Sequence, residues 1–521
     1  MTERDVVVIG SGHNALVAAC YLARAGLDVE VIERDTVVGG AVSTVERFPG
    51  IRMDRGSSAH IMIRHTGIVD ELELARHGLR YVDMDPWGFV PARGEAAAIS
   101  FWTDVDRTCA SIERACGPRD AAAYRRFVAE WLPRNRVVFD FFQQAPTLPR
   151  LGTAMASLAR LSRGRVRGMV RELLGSADAI LEHYFEDERL RSALAWMAAQ
   201  SGPPSHEPAT ADLLGWLAML HVCPPGRPVG GSGELTQAMA RALAAHGGTL
   251  STGDPAVSVE PDAGRLRVTL GSGRAVRSAQ VVSGIHVWTT AQLIAQTCPP
   301  AAERLQATAR PGNGIGMVLR LATTAPPRYA GDDDGLAHRS MALLCDDRVE
   351  LRRCYGEFLA GRAPSNPAAL VMCPTVDDPS LAPDGIHTVT VWGQWHAYAL
   401  SDESWETIGA REAKKLIDVV ERHAPGFRAS IVHTHVQTPV DIETEIGMHR
   451  GNVMHLEMTL DQMFSLRPTA VDSSYRVAGA PGLYLTGAST HPGGGVFGAS
   501  GRSAARAVLA DRRLGRRRLP A

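Results

Sequence analysis

Three small residues at the spacing of a phosphate-binding turn follow an apolar run near the start of the sequence. Residues 6–9 are all valine or isoleucine, as expected of a buried parallel strand, and Gly10, Gly12 and Ala15 occupy the G-x-G-x-x-G/A positions after them. Gly10 permits a tight turn, Gly12 lets the backbone approach a pyrophosphate, and Ala15 lets the next helix pack closely. The helix N-terminus then stabilises the phosphate charge. The pattern predicts a site for the ADP half of a dinucleotide.

An acidic residue ends the second strand of this unit. Glu33 follows the run VEVI and is placed to accept hydrogen bonds from ribose hydroxyls. A carboxylate there would repel a 2′-phosphate, so the sequence excludes NADP at this site. It leaves NAD and FAD equally open.

A second glycine loop lies near the other end of the sequence. Residues 482–486 have the character of a buried strand, and Gly493, Gly494 and Gly495 free the backbone before a helix that begins with small residues. Several backbone amides should point out of that helix start, where they would stabilise the negative charge that a reduced flavin carries near N1 and the C2 carbonyl. The alternative is a plain glycine-rich connection between strand and helix.

Three histidines are candidates for the base that accepts a proton when a C–H bond is oxidised. His491 lies in the C-terminal glycine loop, His396 follows two tryptophans on a strand, and His60 follows the turn at Gly39 and Gly40. Each also has a structural alternative, because histidine is often neutral and bonded to backbone, and His396 could face solvent.

Composition excludes several classes of protein. The sequence has 521 residues, 45% of them hydrophobic, and a formal net charge of −1, which gives no electrostatic attraction to nucleic acid. Its eight cysteines form no C-x-x-C pair, so we expect reduced thiols, no zinc and no other metal. Only Lys414 and Lys415 among the 55 basic residues are lysines, which leaves little room for lysine chemistry. The early first strand and the absence of a long apolar run predict a protein that is cytoplasmic or peripheral to a membrane.

The order of motifs predicts a mixed α/β fold with a discontinuous Rossmann-like domain. Residues 1–78, 225–285 and 469–521 are assigned to the nucleotide domain, because the glycine turns and small strands lie there. Residues 79–224 and 286–468 are assigned to a substrate domain of sheet and helices, with a helical region over 104–220.

Residues 153–174 have an amphipathic pattern. Apolar residues recur at helical spacing on one side, and arginines line the other. The segment is a candidate for peripheral membrane contact, although an ordinary helix packed on the core has the same pattern.

Three separated motifs resemble those of the phytoene desaturase-like flavoproteins, and most nearly the branch named for pyridine nucleotide-disulphide oxidoreductase domains. They are GSGHNALVAACYLARAG with VIERDTVVGGA, PVGGSGELTQAMARAL, and GNVMHLEMTLDQMF with LYLTGASTHPGGGVFGASG. The resemblance implies a fold of the glutathione-reductase and amine-oxidase type that holds non-covalent FAD in an extended pose. The residues implied to surround the cofactor are Gly10, Gly12, His13, Asn14, Ala15, Glu33, Arg34, Gly39, Gly40, Ala41, Val257, Gly487, Gly494, Gly495 and Val496. Ala15 departs from a usual glycine, and Ala41 departs from the arginine usual in amine oxidases, which points away from that group.

The resemblance implies an FAD-dependent dehydrogenase or desaturase that transfers a hydride to flavin N5. Its substrate is expected to be an apolar, natural-product or carrier-bound small molecule, and oxygen, a quinone or another carrier would reoxidise the flavin. Two alternatives stay open. One is a redox-neutral flavin-dependent isomerase of a polyene, and the other is a non-catalytic lipid-binding protein of the same fold.

Overall fold

The computed structural model describes residues 2–162 and 166–518. The strands are β1 (Thr2–Ile9), β2 (Val29–Ile32), β3 (Thr44–Phe48), β4 (Ile51–Asp54), β5 (Tyr81–Asp83), β6 (Gly88–Val90), β7 (Ile99–Phe101), β8 (Gly226–Pro228), β9 (Thr249–Ser251), β10 (Ala256–Asp262), β11 (Arg265–Leu270), β12 (Ala275–Ser283), β13 (Gly316–Thr323), β14 (Met341–Leu344), β15 (Ala369–Met372), β16 (His387–Gln394), β17 (Ile431–Gln437) and β18 (Leu483–Leu485).

Helices occupy the connections between these strands. They are α1 (His13–Arg24), α2 (Ile68–Glu71), α3 (Val105–Cys116), α4 (Pro118–Phe142), α5 (Leu148–Leu161), α6 (Val166–Leu174), α7 (Ala177–Tyr184), α8 (Glu188–Ala198), α9 (Ala211–Met219), α10 (Glu234–Ala245), α11 (Val287–Ile294), α12 (Pro299–Thr308), α13 (Arg348–Leu359), α14 (Trp405–His423), α15 (Phe427–Ser430), α16 (Pro439–Ile446) and α17 (Ala499–Arg518).

The first large sheet has the order β10-β11-β12-β1-β2-β9, with β18 also paired to β12. Strands β12, β1, β2 and β9 run parallel, and β10 and β11 extend the sheet as antiparallel neighbours. Successive side chains of a strand point to opposite faces, so Val6 and Val8 pack with α1, α10 and α17, whereas Val7 and Ile9 pack with α11 and α12. Burial on both faces explains the continuous apolar run of β1.

These strands come from residues 2–32, 249–283 and 483–485, which all lie within the three segments assigned to the nucleotide domain. The α/β fold class is therefore confirmed, while the domain boundaries stay a prediction.

The second large sheet has the order β17-β13-β16-β15-β14-β6-β7. Its pairs are antiparallel except for β14 with β6. Helices α3 to α9 fill the region predicted to be helical, and the apolar faces of α3, α4, α7, α8 and α9 share one core with β14 and β15 through Met341, Leu343 and Leu370. Two further sheets have two strands each, β3 with β4 and β5 with β8.

The amphipathic segment predicted over 153–174 forms two helices. Helix α5 ends at Leu161 and α6 begins at Val166, and residues 163–165 lie outside the described part of the chain. No helix in the described ranges is long and apolar enough to cross a membrane. All eight cysteines are free thiols in the structure.

Candidate active site

A cavity of about 1400 Å³ runs between the two halves of the molecule. Its wall takes residues from the carboxyl ends of β1 and β2, from both glycine loops, from the second sheet and from α4, α5, α6 and α9. Such a volume exceeds the roughly 300–1000 Å³ of an ordinary small-molecule pocket. The cavity therefore has room for a large cofactor and a second ligand.

The turn between β1 and α1 forms one end of this wall. Gly10 has a φ of +93°, and an added Cβ would lie 2.8 Å from Ile285 Cγ2, so the position requires glycine. Gly12 precedes α1, which has no side-chain cap, and a Cβ added there would meet no heavy atom within 4 Å. The first-turn amides of α1 are thus left for a ligand, as at phosphate-binding helix starts.

Glu33 connects this turn to the end of β2. Its Oε2 accepts hydrogen bonds from the amide and the hydroxyl of Ser11, each at 2.7 Å, and its Oε1 accepts one from the amide of Asp35 at 2.9 Å. The carboxylate is buried but lines the cavity. It fixes the turn and keeps lone pairs for ribose hydroxyls.

The second glycine turn lies against the first. Gly39 and Gly40 have φ values of +113° and +56°, and the Gly39 amide donates to Ser11 Oγ at 3.1 Å. A Cβ added at Gly40 would meet only Gly12 Cα, at 3.8 Å. Arg34 and Ala41 also line the cavity here.

The C-terminal glycine loop forms the next part of the wall. Gly487 follows β18, and Gly494, Gly495 and Val496 line the cavity shortly before α17. A Cβ at Gly494 would lie 2.3 Å from Met454 Sδ, whereas one at Gly495 would find only Met62 at 3.9 Å. Gly494 therefore serves packing, and Gly495 leaves open space for a ligand.

His13 joins the two ends of the chain at this point. Its Nε2 accepts hydrogen bonds from the Phe497 amide at 3.4 Å and from Asn14 Nδ2 at 3.0 Å. Burial lowers the pKa of His13 to about 4, which keeps the ring neutral. The N-terminal turn and the C-terminal loop thus line one continuous surface, as an extended dinucleotide requires.

Two predicted cofactor residues lie off the cavity wall. Ala15 is buried, and its methyl packs on Gly284, where an added Cβ would approach it to 2.5 Å. Val257 is 52% exposed on β10, while the preceding Pro255 and Ala256 line the cavity. Pro255 and Ala256 therefore bound this end of the cavity in place of Val257.

The three histidines predicted as candidate bases do not line the cavity. Both ring nitrogens of His60 are bonded, to Tyr81 and Ser232, and the Nδ1 of His396 is bonded to the Gly393 carbonyl. His491 is buried among Phe141, Phe142 and Phe464. Burial lowers the pKa of each of the three to about 3, which makes them poor proton acceptors at neutral pH.

Two other histidines, His286 and His455, line the cavity, and His449 lies beside them. His286 caps α11, with its Nδ1 accepting from the Trp288 amide at 3.1 Å and its Nε2 donating to the His455 carbonyl at 3.1 Å. The Nδ1 of His455 is hydrogen-bonded to Ser489 at 3.0 Å, and the ring of His449 lies 4.5 Å from that of His286. Burial lowers the pKa of all three. His455 belongs to the GNVMHLEMTLDQMF motif, which was the available sequence signal.

Arg467 holds the segment around His455 in place. Its guanidinium is fully buried and donates to the carbonyls of Ala488, Glu457, Gln462 and Met454 at 2.7–3.0 Å. Burial lowers its pKa to about 9. The side chain joins residues 454–462 to the C-terminal glycine loop.

The remainder of the cavity is mostly apolar. Helices α4, α5, α6 and α9 contribute aromatic and aliphatic side chains to its wall, and Trp392 and Trp395 close it from the second sheet. The principal apolar residues of these four helices are Val138, Phe141, Phe142, Leu151, Met155, Leu158, Val170, Leu173, Leu213, Trp216 and Leu217. This compartment can exclude water around an apolar ligand. Within the described residues, no group of acidic, histidine or cysteine side chains could hold a metal ion.

Comparison with known proteins identifies the type of site. A family model described as flavin containing amine oxidoreductase matches residues 16–509. Pyridine nucleotide-disulfide oxidoreductase domain-containing protein 2 of Rattus norvegicus is 32% identical over 98% of this chain and 94% of its own length. A phytoene dehydrogenase of Streptomyces griseus is 29% identical over 94% of this chain and 92% of its own. The resemblance predicted from the three motifs is confirmed.

A solved structure of a putrescine oxidase variant shares the fold. It superposes with a TM-score of 0.63 at 14% sequence identity, over 98% of this chain and 99% of that one. At this identity the likeness concerns the fold alone.

Proposed function

The chain belongs to the family of flavin-containing amine oxidoreductases, and from this premise we propose that it is an FAD-dependent dehydrogenase or desaturase of an apolar substrate. The family supports FAD as the cofactor and an oxidoreductase as the class of enzyme. The substrate, the bond oxidised and the electron acceptor are the proposed part.

One observation carries the proposal. The cavity is continuous from the turn at Gly10 and Gly12, past Gly495 in the C-terminal loop, to the apolar compartment bounded by α4, α5 and α9. A cofactor bound along the two glycine loops would therefore present its reactive end to an apolar ligand. A site for a small polar amine alone would not need this length of aliphatic and aromatic wall.

The residues present fit FAD. Gly12, Gly40 and Gly495 leave open space where a Cβ would otherwise project, and the first-turn amides of α1 lack a side-chain cap. Glu33 and the C-terminal glycine loop line the same cavity, which supports Glu33 as a partner of the ribose and the loop as a contact of the flavin end. When bound, FAD supplies a hydride acceptor.

The protein's own residues orient the substrate and keep the compartment dry. Phe141, Phe142 and Trp216 form an aromatic wall, which excludes water and fixes the ligand by shape. His455 offers a neutral imidazole beside the C-terminal loop, because burial and the nearby His286 and Arg467 hold its pKa well below the usual value. It therefore acts as a hydrogen-bonding group at neutral pH and not as a cation.

We also propose that the substrate enters from a membrane surface through α5 and α6. Leu148, Leu161 and Leu174 are 78%, 43% and 57% exposed, and Met155 and Val170 are partly exposed while lining the cavity. Exposed apolar residues that continue into a cavity provide a path for a lipophilic molecule. Arg150, Arg160 and Arg171 on the same two helices suit anionic lipid headgroups.

The visible spectrum of the purified protein and its anaerobic bleaching test the main proposal. We expect a yellow protein whose oxidised-flavin absorbance disappears when an apolar substrate is added without oxygen. Saturated and partly unsaturated isoprenoids are suitable probes. A colourless protein that does not bind added FAD would overturn the proposal that this protein is an FAD-dependent enzyme. Turnover that needs prior reduction of the flavin would support the isomerase alternative.

Vesicle sedimentation tests the proposed entry surface. The protein should sediment with vesicles that contain phosphatidylglycerol, and replacing Leu148 and Leu161 together by Ser should abolish this binding. The variant Val349→Ser changes an apolar residue that is 66% exposed on α13 and serves as the control. Equal sedimentation of all three proteins would exclude α5 as the contact.

A further inference from the structure

The compartment between α6 and α9 has acidic side chains on an otherwise apolar wall. Asp212 and Glu207 line it beside Leu173, Leu213 and Trp216. Among the described residues, three arginines line the cavity wall. Arg34 lies next to Glu33 on the nucleotide wall, and Arg55 pairs with Asp35 at 2.6 Å. The charge of the apolar compartment is therefore negative.

Arg320 is also on the cavity wall but cannot neutralise this charge. Its guanidinium donates to Ser58 Oγ, Thr390 Oγ1 and the Gly56 carbonyl at 2.6–2.9 Å, which directs it toward the β3-β4 side of the cavity.

Asp212 stands in the cavity without a partner from the protein. Within residues 2–162 and 166–518, no N–H or O–H group donates to its carboxylate and no basic side chain pairs with it. Burial is the sole influence on its pKa, which is raised to about 6. By contrast, Glu33 accepts hydrogen bonds from Ser11, and Glu457 pairs with Arg310 at 3.3 Å. A carboxylate in an apolar wall is costly unless a ligand compensates it.

The position of Asp212 along α9 places it away from the reacting end. The last residue of α9, Met219, packs with Phe497 and Ala499 at the C-terminal loop. Asp212 lies seven residues earlier in the same helix, and a rise of 1.5 Å per residue puts it about 10 Å from that end. Asp212 is thus placed to bind a part of the substrate that is remote from the oxidised bond.

We propose that Asp212 is a specificity-determining residue that pairs with a cationic group at the end of the substrate remote from the flavin loop. The inference rests on the proposed function and names the substrate class, an apolar chain with a basic nitrogen remote from the carbon oxidised. The ion pair would fix how far the chain enters and thereby which C–H bond reaches the cofactor. The first-turn position of Asp212 in α9 favours its anionic form.

Calorimetric binding to the flavin-loaded protein at about neutral pH tests the pairing. The ligands are n-octylamine, which is protonated, and n-octanol, which has the same chain length and no charge. Wild-type protein should bind the amine more tightly, and Asp212→Asn should weaken the amine about 10- to 100-fold while leaving the alcohol unchanged. Asp106→Asn is the matched control, because Asp106 holds the same position in the first turn of α3 and is exposed.

The outcomes separate this proposal from the proposed function. Equal binding of amine and alcohol by wild-type protein, equal weakening of both ligands by Asp212→Asn, or no measurable binding of the amine overturns the role of Asp212. Retained flavin absorbance shows that Asp212→Asn is folded. If the protein binds no flavin, the proposed dehydrogenase fails, yet the same titrations on the colourless protein still decide whether Asp212 selects a cation.

Discussion

Replacing Gly12 by alanine should separate cofactor affinity from protein stability. The Gly12 backbone has an ordinary φ of −59°, and a methyl group there meets no protein atom within 4 Å. The neighbouring Gly10 differs, since its φ is +93° and an added Cβ would lie 2.8 Å from Ile285. Gly12→Ala therefore inserts a methyl group into open space, whereas Gly10→Ala inserts the same group into a closed turn.

The structure sets the expected magnitudes. Alanine in place of glycine before α1 should lower the free energy of unfolding of the flavin-free protein by about 1 kcal/mol or less. The methyl would occupy the approach of the pyrophosphate, and loss of one charge-assisted hydrogen bond costs about 2 kcal/mol, or roughly 30-fold in the Kd for FAD. Gly10→Ala should instead destabilise the flavin-free protein by about 2 kcal/mol or more.

Two measurements check this difference. Flavin fluorescence on dilution gives the Kd for FAD, and urea unfolding of the flavin-free protein gives its stability. Gly356→Ala on α13 is the control, because its methyl also enters open space but lies away from the cavity. An unchanged Kd in Gly12→Ala would refute the placement of the pyrophosphate at this turn.

Three further predictions concern histidine, arginine and lysine side chains. Burial lowers the pKa of four histidines to about 3 in the folded protein, and these are His60, His286, His396 and His491. The same histidines bind protons more readily in the unfolded chain. The free energy of unfolding is therefore highest above about pH 6.5 and falls as the pH is lowered. Urea unfolding should show that the free energy of unfolding falls by about 1 kcal/mol for each of these histidines between about pH 7 and about pH 5.5. A free energy of unfolding that does not change with pH would contradict their burial as neutral rings. Arg467→Met removes the donors to several buried carbonyls and should lower stability by about 3–5 kcal/mol, seen as a lower Tm, with the exposed Arg76→Met as the unaffected control. Changing Lys414 and Lys415 together to Arg should leave the rate of flavin reduction unaltered, because both lysines pair with acidic residues on α14 and lie off the cavity wall. A large fall in that rate would show that a lysine takes part in the reaction.

The nucleotide half of the site was predictable because its parts are local in sequence. Gly10, Gly12 and Glu33 lie within one βαβ unit, so turn geometry and strand polarity fix their relation before any distant contact forms. The C-terminal loop was recognised for the same reason.

The positions of the other site residues depend on which face of each helix or strand points toward the cavity. His491 is next to the glycine loop in sequence, yet its ring points among phenylalanines, whereas His286 and His455 come together from segments 169 residues apart. Asp212 carries no motif, and the packing of α9 against α4, α6, α7 and α8 places it in the cavity. Residue type and spacing contain no signal for such long-range placement.

The join between the first helix and the last has a consequence for biosynthesis. A Cβ at Gly501 of α17 would lie 2.1 Å from the carbonyl oxygen of Asn14 in α1, and β18 pairs with β12 beside β1. The N-terminal turn leaves the ribosome first, but the wall opposite it emerges nearly 480 residues later. The cavity can therefore be complete only after nearly the whole chain has been synthesised, and we expect flavin binding to follow translation.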